Sequence, residues 1–164
     1  MFELKPLSPA AIPAALAKAE RYRLLNEPEQ SQSICEDVLR ADPANVQAMV
    51  TLILALTDEF PRHVRNAGRA EAVAASLPGE YERHYYAGLV AERRARALLE
   101  HAGPGTRAAG EWLQDAMAHY ERAEALRPPD NDEARLRWNA CARVCNDRPE
   151  LLVREDADEP VMNE

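Results

Sequence analysis

Residues 116–128 read Ala116-Met117-Ala118-His119-Tyr120-Glu121-Arg122-Ala123-Glu124-Ala125-Leu126-Arg127-Pro128. Ala116, Met117, Tyr120 and Ala123 recur at steps of three and four, the spacing of one helix face. The same face extends backwards through Leu113, Trp112 and Ala109, predicting a helix from about 106 to 126. Pro128-Pro129 ends it, because proline lacks the N–H that a helix interior needs. Within the stretch a small residue, Ala116, precedes an aromatic, Tyr120, by four positions. A proline follows eight positions later, with small Ala123 between.

Working outward, proline and glycine cut the rest of the chain into pieces of helical length. Ser8-Pro9 or Ile12-Pro13 opens a first helix carrying Ile12, Leu16, Ala19 and Tyr22; Asn26-Glu27-Pro28 turns into a second with Ser31, Ile34, Cys35, Val38 and Leu39 on one face. Asp42-Pro43 predicts a stop and a new start, since Asp caps well and Pro fits the first helical turn. The third helix, about 44 to 58, is apolar nearly all round and is expected to be the most buried. Pro61 is expected to begin the fourth, with Val64, Ala67, Ala70, Val73, Ala74 and Leu77, up to Pro78-Gly79. A fifth runs from about 80 to 101. Its far half, Glu92-Arg93-Arg94-Ala95-Arg96, reads as too polar for burial all round. Gly103-Pro104-Gly105 breaks the chain before the sixth. Asp132 is expected to cap the seventh, which carries Leu136, Trp138, Cys141, Val144 and Cys145. No segment sustains the period-two alternation of a strand. Seven helices with short connections must run antiparallel to their neighbours.

The frame Ala116, Tyr120, Pro128 resembles the second half of a tetratricopeptide repeat. The same frame counted back from Pro43 meets Ser31 and Cys35, and Tyr22 matches the tyrosine of the family's first helix. Pro78 follows Pro43 by 35 residues, close to the family's 34. Tyr85-Tyr86-Ala87-Gly88-Leu89 resembles its Leu-Gly element. Pro78 to Pro128 is 50 residues, so the third hairpin must be longer than a standard unit. The resemblance covers about residues 12 to 146. It implies an all-α fold in which antiparallel hairpins stack as a short right-handed solenoid of about seven helices. Residues 1–148 would form that domain, with a capping helix at about 132–146, and 149–164 an acidic, disordered tail.

Composition agrees with a helical class. Apolar residues make up 46% and aromatics only 5%, which suits closely approaching helices better than a sandwich or barrel. The net charge is −8, against a basic nucleic-acid-binding face. Residues 147–164 hold seven acids against two bases, so a net −5 of that charge sits at the C-terminal end. The three cysteines, Cys35, Cys141 and Cys145, have no framework spacing and read as buried packing residues. The first residues lack a basic region followed by an apolar run, and Val46 to Leu56 is too short to span a bilayer. A cytoplasmic location without membrane attachment is expected, and the Ala- and Arg-rich composition resembles that of bacterial proteins.

Catalytic patterns are missing: there is no GxGxxG, GxxxxGK, GxSxG or HExxH. Glu80 with His84, and Asp115 with His119, are acid–histidine pairs four apart that could bind a metal or relay a proton. The plainer reading is two solvated helix pairs, so no catalytic residue, metal or cofactor is expected. Arg93, Arg94 and Arg96, with Arg83 and Arg107, form the basic cluster. It could receive an acidic peptide, hold the chain's own tail, or simply be a solvated face.

In the family the first helix of each hairpin lines a groove for an extended peptide or a partner's helix. The resemblance places Arg23, Thr51, Asp58, Tyr85, Tyr86 and Arg93 in that groove, continued by Arg135 and Asn139 on the seventh helix. Leu16 and Glu20 stand where the family's carboxylate-binding variant carries Lys and Asn, which disfavours capture of a chaperone-type C-terminal tail. The expected function is non-enzymatic protein–protein recognition, as an adaptor, scaffold or assembly factor. The alternatives are a small secretion-type chaperone and, from another class, a helical-bundle enzyme or metal protein. Apolar faces at the ends of such a stack would also favour a homodimer.

Overall fold

The computed structural model describes residues 2–62, 65–101 and 107–152. Among these the chain is all-helical: α1 (Ile12–Leu24), α2 (Pro28–Ala41), α3 (Val46–Asp58), α4 (Ala67–Ala75), α5 (Glu80–His101), α6 (Arg107–Ala125) and α7 (Glu133–Asp147). Short 3-10 helices precede and follow them at Pro9–Ala11 and Pro149–Leu152. Each helix packs on the next in sequence, and α1 touches α3, α3 touches α5 and α5 touches α7.

The starts are set by local chemistry, not always where proline suggested. Pro28 is the first residue of α2, and Asn26 takes the left-handed backbone (φ 59°) that Asn tolerates. Asp42-Pro43 does not open α3. The helix starts at Val46, because the Asn45 side chain accepts the Ala48 N–H at 2.9 Å while donating to Asp42 at 3.0 Å. Asp132 likewise does not cap α7 through its side chain: Asn131 Oδ1 accepts the Glu133 N–H at 3.0 Å. Asp132 is drawn instead toward Arg135 and Arg127. Pro61 lies in a turn after α3, and α4 begins six residues later. Phe60, 1% exposed, plugs the core there, and Asn66 donates to Glu59 at 2.7 Å across the connection. Val64 and the Gly103-Pro104-Gly105 break lie outside the described residues.

The core is continuous through α5. Leu52, Ile53, Leu56, Phe60, Val90 and Ala97 pack with small residues of α1, α2 and α4. Leu89, Leu113, Ala116, Tyr120 and Cys141 pack on the other side of α5. Tyr86 borders both groups. α3 is buried at seven of its thirteen positions, as its sequence predicts. The polar run in α5 was misleading in one respect: Glu92 is fully buried. It accepts from Tyr120 Oη at 2.7 Å, pairs with Arg96 at 2.9 Å and lies 3.5 Å from Arg137.

The expected tail boundary also moves. Pro149–Leu152 packs on α6 and α7, and Leu151 is 2% exposed. Its carbonyl oxygen lies 1.8 Å from where a β-carbon on Gly110 would stand, so the bare backbone of Gly110 is its seat. The rest of the expected tail lies outside the described residues.

Candidate functional site

α1, α3 and α5 bring four of the expected groove residues together. Arg23 at the end of α1 donates Nε to Asp58 Oδ2 at 2.8 Å. Arg93 of α5 donates to Asp58 Oδ1 at 2.6 Å, to Thr57 Oγ1 at 2.7 Å and to the Leu54 carbonyl at 3.3 Å. Thr51 Oγ1 donates to Glu20 Oε1 at 3.0 Å, and the other Glu20 oxygen lies 3.5 Å from Arg23. A polar ladder therefore ties the three helices side by side. Asp58 is its centre, a carboxylate shared by two guanidiniums, each about a fifth exposed.

Beside this ladder opens a cleft of about 380 Å³. Arg23, Asp58, Arg93, Arg96 and Glu100 give it three cations and two anions; Leu24, 86% exposed, forms an apolar lip. Arg96 and Leu24 were not expected there. Arg96 shows a signal in the sequence, one turn after Glu92 and three residues after Arg93, but Leu24 has none: it is an apolar residue left outside the buried face of α1.

The other expected groove residues go elsewhere. Tyr85 is a core residue whose hydroxyl donates to Glu133 at 3.2 Å and whose ring meets Tyr86 edge-on at 5.1 Å. Burial raises the phenol of Tyr85 and pushes that of Tyr86 up to about 12. Arg135 is exposed and clamps Glu124 of α6 at 2.6 and 2.8 Å, and Asn139 is half-buried on α7. None of these four lines the cleft.

The basic cluster is dispersed. Arg83 donates to the carbonyls of Leu77 and Pro78, and Arg94 lies 4.0 Å over the Trp112 ring and 3.3 Å from Glu71. Arg107 pairs with Glu111. No single cationic patch results from these five residues.

A second groove, about 480 Å³, lies among α4, α5 and α6 and contains His84 and His119. Their Nδ1 atoms are 3.4 Å apart and their rings 5.7 Å centre to centre. Each histidine was expected to pair with an acid on its own helix; instead they face one another. Burial lowers the His119 pKa, opposed by Asp115 and assisted by Arg122 and His84. Among the described residues no group of three or more His, Cys, Asp or Glu side chains is placed to hold a metal ion. The cysteines are all buried, and burial pushes Cys35 up to about 11 and Cys141 up to about 12. No helix among the described residues is long and apolar enough to cross a membrane. Compared with family models, curated proteins and solved structures, the chain has no match.

Proposed function

We propose that the chain is a protein-recognition module of the tetratricopeptide-like kind, taking a peptide or a partner's helix along α1, α3 and α5. The observation that carries this is the cleft beside Arg23, Asp58 and Arg93. It combines oriented guanidiniums with an exposed leucine, the mixture of charged and apolar anchors that interfaces use. Two further features support stacked hairpins. The first helices of successive pairs touch one another, and Gly88 of α5 faces Ala116 and Tyr120 of α6 in the manner of the family's hairpin. The role is adaptor or assembly factor rather than catalyst.

The test is a photo-crosslinking amino acid at Leu24, with Leu136 of α7, 64% exposed, as control. A partner trapped from position 24, absent from 136 and displaced by excess unlabelled protein, supports the cleft. Equal trapping at both positions counts against it. Self-association is a second reading, carried by an apolar hollow of about 470 Å³ around Met117, Trp138 and Leu152. Light scattering at tens of micromolar separates dimer from monomer.

A further inference from the structure

The geometry points to a two-histidine binding site for a divalent transition-metal ion, of the zinc, copper(II) or nickel class, bridging α5 and α6 through His84 and His119. Metal–imidazole bonds are about 2.0–2.1 Å long, and at a tetrahedral angle two such nitrogens stand about 3.3 Å apart. The two Nδ1 atoms are 3.4 Å apart, with the rings tilted 37° to one another. Two imidazole nitrogens facing each other make a long hydrogen bond at that separation, beyond the usual 2.9–3.0 Å mode. An ion set to one side of the line between them, about 2 Å from each nitrogen, would use both lone pairs.

The helices hold these donors in place. One turn along α5 from His84 is Gly88, where a β-carbon would stand 2.8 Å from the ring of Tyr120, the neighbour of His119. That close approach brings the two histidines within reach, and it sits in the most extensively packed helix pair. The surrounding charge is compatible with a cation. Asp115 lies one turn before His119 and lines the same groove; Glu71 lines it too but is paired with Arg94 at 3.3 Å, and Arg122 is the cation on α6 that opposes a bound ion. Arg83, also in the lining, is turned to the Leu77 and Pro78 carbonyls. The open groove leaves room for water at the remaining coordination positions. Nitrogen donors select borderline transition ions over magnesium or calcium.

The experiment is calorimetric titration of tag-free full chain with ZnCl2, then NiCl2, at about pH 7.5, repeated at about pH 5. One ion per chain is expected, with binding lost at the lower pH. His84→Gln and His119→Gln should each weaken it by about tenfold or more, with helix content unchanged by circular dichroism. A second readout avoids stability altogether: zinc should shift the ring-nitrogen resonances of two of the four histidines, those absent from the two variants. Absence of saturable binding, binding unchanged in His84→Gln/His119→Gln, or shifts at His63 and His101 instead would each overturn the site.

Discussion

A β-carbon on Gly88 would stand 2.8 Å from Cε1 of Tyr120 and 3.2 Å from the Ala116 carbonyl oxygen. Tyr120 is fully buried and hydrogen-bonded to Glu92, so its ring has nowhere to go. Gly88 therefore sets the distance between α5 and α6.

Gly88→Val should destabilise the protein by about 1–3 kcal/mol, the usual cost of overpacking a filled core. In Gly88→Ala the gain in helix propensity, roughly 1 kcal/mol, offsets part of the clash. Gly68 in α4 has nothing within 4 Å of its β-carbon position, and Gly68→Ala should stabilise by about 0.4–1 kcal/mol. Urea unfolding of the three variants checks the contrast; equal effects at 88 and 68 would remove the packing argument.

The Asp58 ladder gives a second prediction. Asp58→Ala removes the shared acceptor of Arg23 and Arg93, both largely buried, and should cost about 2 kcal/mol. Exposed pairs such as Arg107–Glu111 should contribute about 0.5 kcal/mol or less. Because Asp58 spans α1, α3 and α5, its loss should also raise amide exchange at the C-terminal ends of α1 and α3. Exchange unchanged there would mean that the ladder does not tie these helices.

Glu92 sharpens the same logic. Arg96 and Arg137 are 44% and 38% exposed and can return to water, whereas the carboxylate, 1% exposed, cannot. Removing both cations in Arg96→Ala/Arg137→Ala should therefore cost about 3–5 kcal/mol, because it strands a buried charge. Glu92→Leu should cost far less. Tyr120→Phe should cost about 1.5–3 kcal/mol, a hydrogen bond to a charged group. Denaturant midpoints would order the three, and a larger loss in Glu92→Leu than in the double variant would reverse the argument.

The sequence already carried the helical class, the extent of α5 and the burial of α3, because periodicity and small-residue spacing are local. Glu92 was not legible. Two of its three partners lie 28 and 45 residues away, and only the rotation of α5 against α6 and α7 decides that it points inward. The same holds for His84 and His119, 35 residues apart. The caps failed for a smaller reason: Asp42 and Asp132 each stand near an Asn that supplies the cap, and residue type alone does not choose between them. In the cleft, Arg23, Asp58 and Arg93 were reached through the repeat frame, while Tyr85 was lost from it because α7 covers its hydroxyl.

Thiol chemistry supplies the last prediction. Burial holds Cys35 at about 11 and Cys141 at about 12, against the ordinary 9.0 of a thiol. Cys35 and Cys141 should thus be inert to a disulfide reagent in the native protein at about pH 8 and should react once urea unfolds it. The folded state keeps these protons to higher pH than the unfolded chain does. Their contribution is present in full below about pH 9 and is lost as pH rises from there through 11 to 12, the unfolded state being stabilised by ionising first. Stability measured against pH should fall over that window. Cys141→Ala should flatten the slope, at some cost in stability near neutrality from lost packing. Fast labelling at Cys141 itself in the native chain at about pH 8, located by peptide mapping, would show that it is not enclosed between α5 and α7.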